Sequence, residues 1–160
     1  MTIVISDTGP LNYLILTGNL EILPRLFSSV IIPPAVIAEL RDADAPEAVK
    51  KWAEKPPSWI QIQAPENTNS FASLGAGESE AISLAIRLKA DVILLDDLAA
   101  RDVAAAAGLK MAGTLGVLAQ AHLRGWLDFE NALSKLRAIN YRISNEAVER
   151  VREQIRKTRK

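Results

Sequence analysis

The chain has 160 residues, 49% hydrophobic and 24% charged, with no cysteine and 19 basic side chains against 19 acidic ones. That length fits one domain burying about two-thirds of its unfolded surface, and the lack of cysteine excludes a disulfide framework and a thiolate metal site. No apolar run approaches the roughly 18 to 20 residues of a membrane span, and no signal peptide is legible at the N-terminus, so a soluble, cytoplasmic protein without membrane association is expected.

In chain order, "TIVIS" (residues 2–6) reads as a strand of β-branched residues buried on both faces, ending at Asp7. "GPLNYLILTGN" reads as a short helix with Pro10 in its first turn and Gly18-Asn19 as its stop, and "LEILPRLF" as a second helical piece. "SVIIPP" is a short strand closed by two prolines. "AVIAELRD" and "APEAVKKWAEKPP" follow as helices, the second ended by Pro56-Pro57. "WIQIQ" alternates and reads as an edge strand or an extended excursion, and residues 64–76 form a polar loop. A long helix begins near Gly77 with Ala81, Ile82, Ala85 and Leu88 on one face. "DVILL" has the strongest central-strand character, followed by the helix "DDLAARDVAAAAG", a short strand "LKMAG" and three further helices. Strands alternating with helices, without a repeat or linker, predict an α/β fold: a three-layer α/β/α sandwich on a small central parallel sheet.

The signs of charge are unevenly placed. Residues 1–134 hold 10 basic and 16 acidic side chains, whereas 135–160 hold 9 basic and 3 acidic. The basic C-terminal stretch, 146–160, is expected to belong to the same domain as 1–145; it reads either as an approach surface for phosphates or as a solvated helix face with a frayed end.

In open parallel α/β sheets the ligand crevice lies beyond the carboxyl ends of the strands. Asp7 follows the first strand and Asp96-Asp97 follow "DVILL", so both belong at that edge. Glu78 opens a helix, where the dipole favours an anion, although a glutamate there also serves helix stability alone. Glu39 interrupts "VIIPPAVIAEL", so its carboxylate either turns toward the crevice or joins a polar stripe and pairs with Arg41 or a later lysine. If Asp7, Glu39, Glu78 and Asp97 converge, repulsion at about 5 Å with an effective dielectric near 20 is about 3 kcal/mol for each adjacent pair. Such a cluster needs a cation. Oxygen-only ligands select Mg²⁺ or Mn²⁺ over zinc, and a carboxylate cluster holding such ions is equipment for phosphodiester hydrolysis.

The segments "VISDTGPL", "PPAVIAEL", "LGAGESEAISLA" and "VILLDDLAARDVA", in this order, resemble the signature segments of the PIN-domain nucleases, the fold of the VapC-type toxins. "GTLGVLAQAHLRGWL" and the helices up to "NYRIS" are similar to an uncharacterised prokaryotic branch of that family, so the resemblance spans roughly residues 3–145. It implies that Asp7 is the first metal-binding aspartate, Glu39 the helix glutamate and Glu78 the acid opening the next helix, where many members have aspartate. For the last acid Asp97 fits better than its neighbour Asp96. The resemblance further implies a ribonuclease with a Mg²⁺ or Mn²⁺ requirement, leaving a 5′-phosphate and a 3′-hydroxyl. As partners it implies an RNA substrate, a small antitoxin protein if the chain is the toxin of a toxin-antitoxin pair, and a second copy in a homodimer.

Three further residues fall near the acids. Thr8 is placed to orient Asp7 or to cap a helix; Arg101 to touch a substrate phosphate or to form an i,i+4 pair with Asp97; Thr114 to face the crevice or to cap its helix. Asp102 reads as a surface residue and His122 as structural. A catalytically silent scaffold that binds RNA or protein is the alternative to the enzyme. A haloacid-dehalogenase-like phosphatase is disfavoured because Gly9 stands where its second aspartate would, and the acid and lysine pattern of a receiver domain is incomplete. Apolar residues beyond the needs of one thin sheet, among them Leu14, Leu16, Ile22, Leu26 and Phe27, suggest a self-association surface.

Overall fold

Three short, mostly β-branched runs, 4–6, 30–32 and 92–94, lack the alternation of a half-solvated strand, and in the computed structural model each is a parallel strand with helices on both sides. The structure describes residues 2–68, 71, 73–141 and 143–158. Asn69, Ser70 and Ala72 of the expected polar loop, and Arg142, Arg159 and Lys160 of the basic stretch, lie outside the described residues.

The elements are β1 (Val4–Ser6), α1 (Thr8–Leu16), α2 (Ile22–Phe27), β2 (Val30–Ile32), α3 (Pro34–Leu40), α4 (Glu47–Glu54), β3 (Ile60–Ile62), α5 (Ala76–Leu88), β4 (Val92–Leu94), α6 (Leu98–Ala106), β5 (Met111–Ala112), α7 (Thr114–Leu123), α8 (Phe129–Ala138) and α9 (Asn145–Thr158). All strand pairs are parallel, in the order β3-β2-β1-β4-β5, with Ile5 opposite Ile31 on one side and Ile93 on the other. The α/β/α sandwich expected from the alternating elements is therefore present. β1 occupies the middle of the sheet; β4, read from "DVILL" as the central strand, is interior but lies one place out.

Successive strand residues divide two cores. Val4, Val30, Ile32 and Leu94 join a large cluster built by α1 to α4 and α7 to α9, whereas Ile5, Ile93 and Leu95 join a smaller one with Ala81, Ile82, Leu84 and Ala85 of α5 and Ala100 and Ala104 of α6. This two-faced burial explains why polar residues are missing from β1 and β4 until their carboxyl ends. β3 is the edge strand that "WIQIQ" predicts. Its alternation does not carry through, since Ile60 is buried while Ile62 is half exposed at the sheet margin. Leu14 and Ile22 are buried in the larger core, and Leu16, Leu26 and Phe27 pack partly against it. Part of the apolar surplus that suggested self-association is thus taken up within one chain, where α7 to α9 thicken that layer, while Leu16, Leu26 and Phe27 remain partly exposed.

α9 is docked rather than frayed along its described length: Val148 and Ile155 are buried and the helix packs on α7. Two of its arginines are engaged on its own surface, Arg152 with both carboxylate oxygens of Glu130 at 2.7 and 2.9 Å and with Glu149 at 2.6 Å, Arg156 with Glu153 at 2.6 Å. Among the described residues no helix is long and apolar enough to cross a membrane.

Candidate active site

From β1 the chain proceeds to β2 and β3 on one side, and from α5 it crosses to β4 and β5 on the other. The strand order therefore reverses between β1 and β4, which opens a crevice beyond their carboxyl ends. Asp7 is the first residue past β1. Its backbone N–H extends the ladder to the Leu94 carbonyl at 3.0 Å, which fixes the side chain at the lip of the sheet. Leu95 continues β4 inward, and Asp96 and Asp97 follow at the same edge.

Asp7 is only 6% exposed, and its Oδ1 is a buried oxygen without a hydrogen-bond partner. Burial pushes its carboxyl up to about 7, the backbone hydrogen bond at Thr8 pulls the other way, and the charges of Glu78, Glu39 and Asp96 add to the rise. Burial disfavours the ionised form, and neighbouring anions reinforce that. The same field links Glu78 to Asp97 and Glu39: the Glu78 carboxyl is raised, first by burial, against a backbone hydrogen bond from Gly75 that lowers it. All five acids singled out in the sequence are thus electrostatically connected in one crevice.

Each of the other four is tethered within the protein. Glu39 takes the Thr8 hydroxyl on Oε1 at 2.6 Å and the Gly77 N–H on Oε2 at 2.9 Å. Glu78, at the third position of α5, reaches back to the Gly75 N–H at 3.1 Å, one half of a capping box whose other half a glycine cannot supply. Asp97 caps α6 by accepting the Ala100 N–H at 3.0 Å. Asp96 accepts the Thr114 N–H at 2.7 Å and hydroxyl at 2.6 Å, with the Tyr141 hydroxyl at 3.3 Å. Burial raises the Asp96 carboxyl while those donors and the Arg101 charge lower it.

The neighbours differ from their sequence-based roles. The Thr8 hydroxyl grips Glu39 rather than Asp7, which Thr8 meets through its backbone, and it does not cap α1. Arg101 does not pair with Asp97; its Nη1 donates to the Leu95 carbonyl at 2.8 Å, because the β4–α6 turn brings that carbonyl under the guanidinium. Arg41 likewise leaves Glu39 alone and donates to the Ala53 carbonyl at 2.9 Å. Thr114 is a clamp on Asp96, and the residue in the capping position of α7 is Gly113. Asp102 is exposed, as expected. His122 Nδ1 accepts the Phe129 N–H at 3.0 Å at the entry to α8, a structural role outside the crevice.

Two kinds of participant were missed. Gly113 lies so close to Asp96 that an added Cβ would stand 2.7 Å from its Oδ1, and Gly77 does the same for Glu39. Glycine one residue before a crevice acid or threonine, in "AGES" and "AGTL", was the available signal. Tyr141 had none: it arrives from the connection between α8 and α9, 45 residues after Asp96, and packs edge-on against Tyr13 at 4.6 Å.

The donor chemistry fits a hard divalent cation. Asp7, Glu39, Glu78, Asp96 and Asp97 offer oxygen donors only, and Asp7 presents an unpartnered buried oxygen into the shared negative field. Among the described residues no three acids are gathered closely enough to hold an ion by themselves. The tethers just described give each of Glu39, Glu78, Asp96 and Asp97 its own partners within the protein.

A family model described as a PIN domain matches residues 3–157. The chain belongs to the PIN-domain family. Among solved structures, a PilT N-terminus domain protein, SSO1118, from the hyperthermophilic archaeon Sulfolobus solfataricus P2 is similar in fold, with a TM-score of 0.54 and 19% identity over 76% of this chain and 93% of that one. No match was found among curated proteins. The PIN domain is a nuclease-type fold, and the acid crevice here lies where its sheet reverses order.

Proposed function

We propose that this PIN domain is a divalent-metal-dependent endoribonuclease, with Asp7, Glu39, Glu78 and Asp97 as the residues that hold Mg²⁺ or Mn²⁺. The observation that carries the reading is the buried, unpartnered Oδ1 of Asp7 in the field of Glu78, Glu39 and Asp96, with Asp97 acting in turn on Glu78. Leaving such an oxygen unsatisfied costs folding free energy that a cation at the site returns.

A bound divalent ion supplies activation of the attacking water at neutral pH and charge stabilisation at the leaving oxygen. The chain's own residues do the rest. Asp7, Glu39, Glu78 and Asp97 offer oxygen ligands from β1, α3, α5 and the start of α6. Asp96, saturated by Thr114 and Tyr141, is better suited to add negative potential than to leave those donors. Arg101, whose charge acts on Asp96, is a cation available to a substrate phosphate. No histidine base is needed, in keeping with the distant role of His122.

In the cell this reading places the chain as the toxin of a toxin-antitoxin pair, cytoplasmic, with RNA as substrate and a small antitoxin protein as partner. The decisive experiment is cleavage of a structured RNA with Mg²⁺ or Mn²⁺, with excess chelator, and with Asp7→Asn. Cleavage that requires the ion and Asp7 upholds the reading. Equal cleavage by Asp7→Asn, after removal of contaminating nucleases, overturns it.

One observation favours a second reading, a silent PIN scaffold that binds RNA or protein: the acids are tethered apart. A silent scaffold gains no stability from Mn²⁺ at concentrations that saturate an intact site.

A further inference from the structure

Glu39 is an exposed residue, so packing does not fix its carboxylate at the crevice; two hydrogen bonds do. The second is from a backbone N–H in the first turn of α5, a donor that has no partner within its own helix. The approach is possible only without a side chain at position 77, since a Cβ there would stand 2.7 Å from Glu39 Oε1, 2.8 Å from Cδ and closer still to Oε2. Glycine inside a helix is less favourable than alanine, so a reason is needed for its presence.

The neighbouring helix returns the contact. Glu80 of α5 accepts the Ala35 N–H of α3 at 3.1 Å, so each helix is capped by a glutamate of the other. This reciprocal capping fixes the α3–α5 pair, and Thr8, the first residue of α1, closes the arrangement on the remaining Glu39 oxygen.

We infer that Gly77 and Thr8 are positioning residues: together they form a seat that pre-places the Glu39 carboxylate for the divalent ion. The inference rests on the metal-dependent reading of the crevice. A glutamate side chain on an exposed helix face samples several rotamers, and ordering it on ion binding weakens affinity. The seat completes that ordering during folding. One donor on each oxygen leaves each a further lone pair for a cation.

A merely structural role for the seat and a positioning role differ in a double-mutant cycle combined with metal binding. The variants are Gly77→Ala, Glu39→Ala, the two combined, Thr8→Val and Thr8→Ser, melted without metal and titrated calorimetrically with MnCl₂. Gly77→Ala should lower the melting midpoint by roughly 3–6 °C in the parent. In the Glu39→Ala background it should cost nothing or raise the midpoint, because the new methyl no longer meets a carboxylate and alanine is the better helix former. Mn²⁺ affinity should fall about tenfold in Gly77→Ala and Thr8→Val and be largely retained in Thr8→Ser. Equal midpoint losses in both backgrounds, or Thr8→Val binding Mn²⁺ as tightly as the parent, would overturn the inference. Thr8→Val decides the metal arm if Gly77→Ala does not fold. If the parent itself takes up no Mn²⁺, the positioning role falls with the metal reading, while the melting cycle separately shows whether Gly77 is a seat for Glu39.

Discussion

The acid crevice and the α8–α9 surface handle charge in opposite ways. On the surface Arg152 satisfies Glu130 and Glu149, and Arg156 satisfies Glu153, each by short contacts in solvent. In the crevice five carboxylates share one field, and among the described residues none is in an ion pair. Charge is neutralised where pairing contributes little to stability, whereas Asp7, whose burial makes an unpaired charge costly, has no ion-pair partner. The cation proposed for the crevice would account for that inversion.

The largest effect that sharpens this contrast belongs to Asp7. Its carboxyl is raised from 3.8 to about 7, so the folded protein keeps a proton that the unfolded chain releases. That stabilising difference is complete below pH 3.8 and is lost as pH rises through about 7, an amount on the order of 4 kcal/mol. Metal-free wild-type protein should therefore lose stability between about pH 4 and 7 and level off above, whereas Asp7→Asn should lack this decline and be the more stable protein at pH 8. Urea titrations across that range check it. The same substitution should abolish ion-dependent RNA cleavage, so stability and activity move in opposite directions at one residue.

Asp97 separates capping from ligation. Asp97→Ala should lose the α6 cap, about 1 kcal/mol, along with metal affinity. Asp97→Asn should keep the cap and lose affinity alone, as read by denaturation and Mn²⁺ titration side by side.

Tyr141→Phe removes one hydrogen bond from buried Asp96 and leaves its two Thr114 donors, for a loss of about 1 kcal/mol. The smallest effect is on the paired surface. Arg152→Ala should change stability only slightly, should do so less at high salt, and should leave Mn²⁺ binding untouched.

What could be read in the sequence follows the same division. Buried elements announce themselves, because β1 is apolar up to Ser6 and Asp7 and β4 up to Asp96, and the reversal point then places both acids at one edge. Helix-opening acids such as Glu78 are visible for the same local reason. The tethers are not local. That Thr8 holds Glu39 across 31 residues and that Tyr141 reaches Asp96 across 45 depend on how α1, α3 and the α8–α9 connection pack. Charge counting on the basic stretch does not show that Arg152 and Arg156 are engaged by glutamates of the same surface.

The most direct test of the crevice as a cation site is a calorimetric Mn²⁺ titration at pH 7.5, comparing the wild-type protein with Asp7→Asn. Saturable binding to the wild-type protein that is lost in the variant is the expected result. Identical titrations for the two proteins, or no uptake by either, would contradict the account.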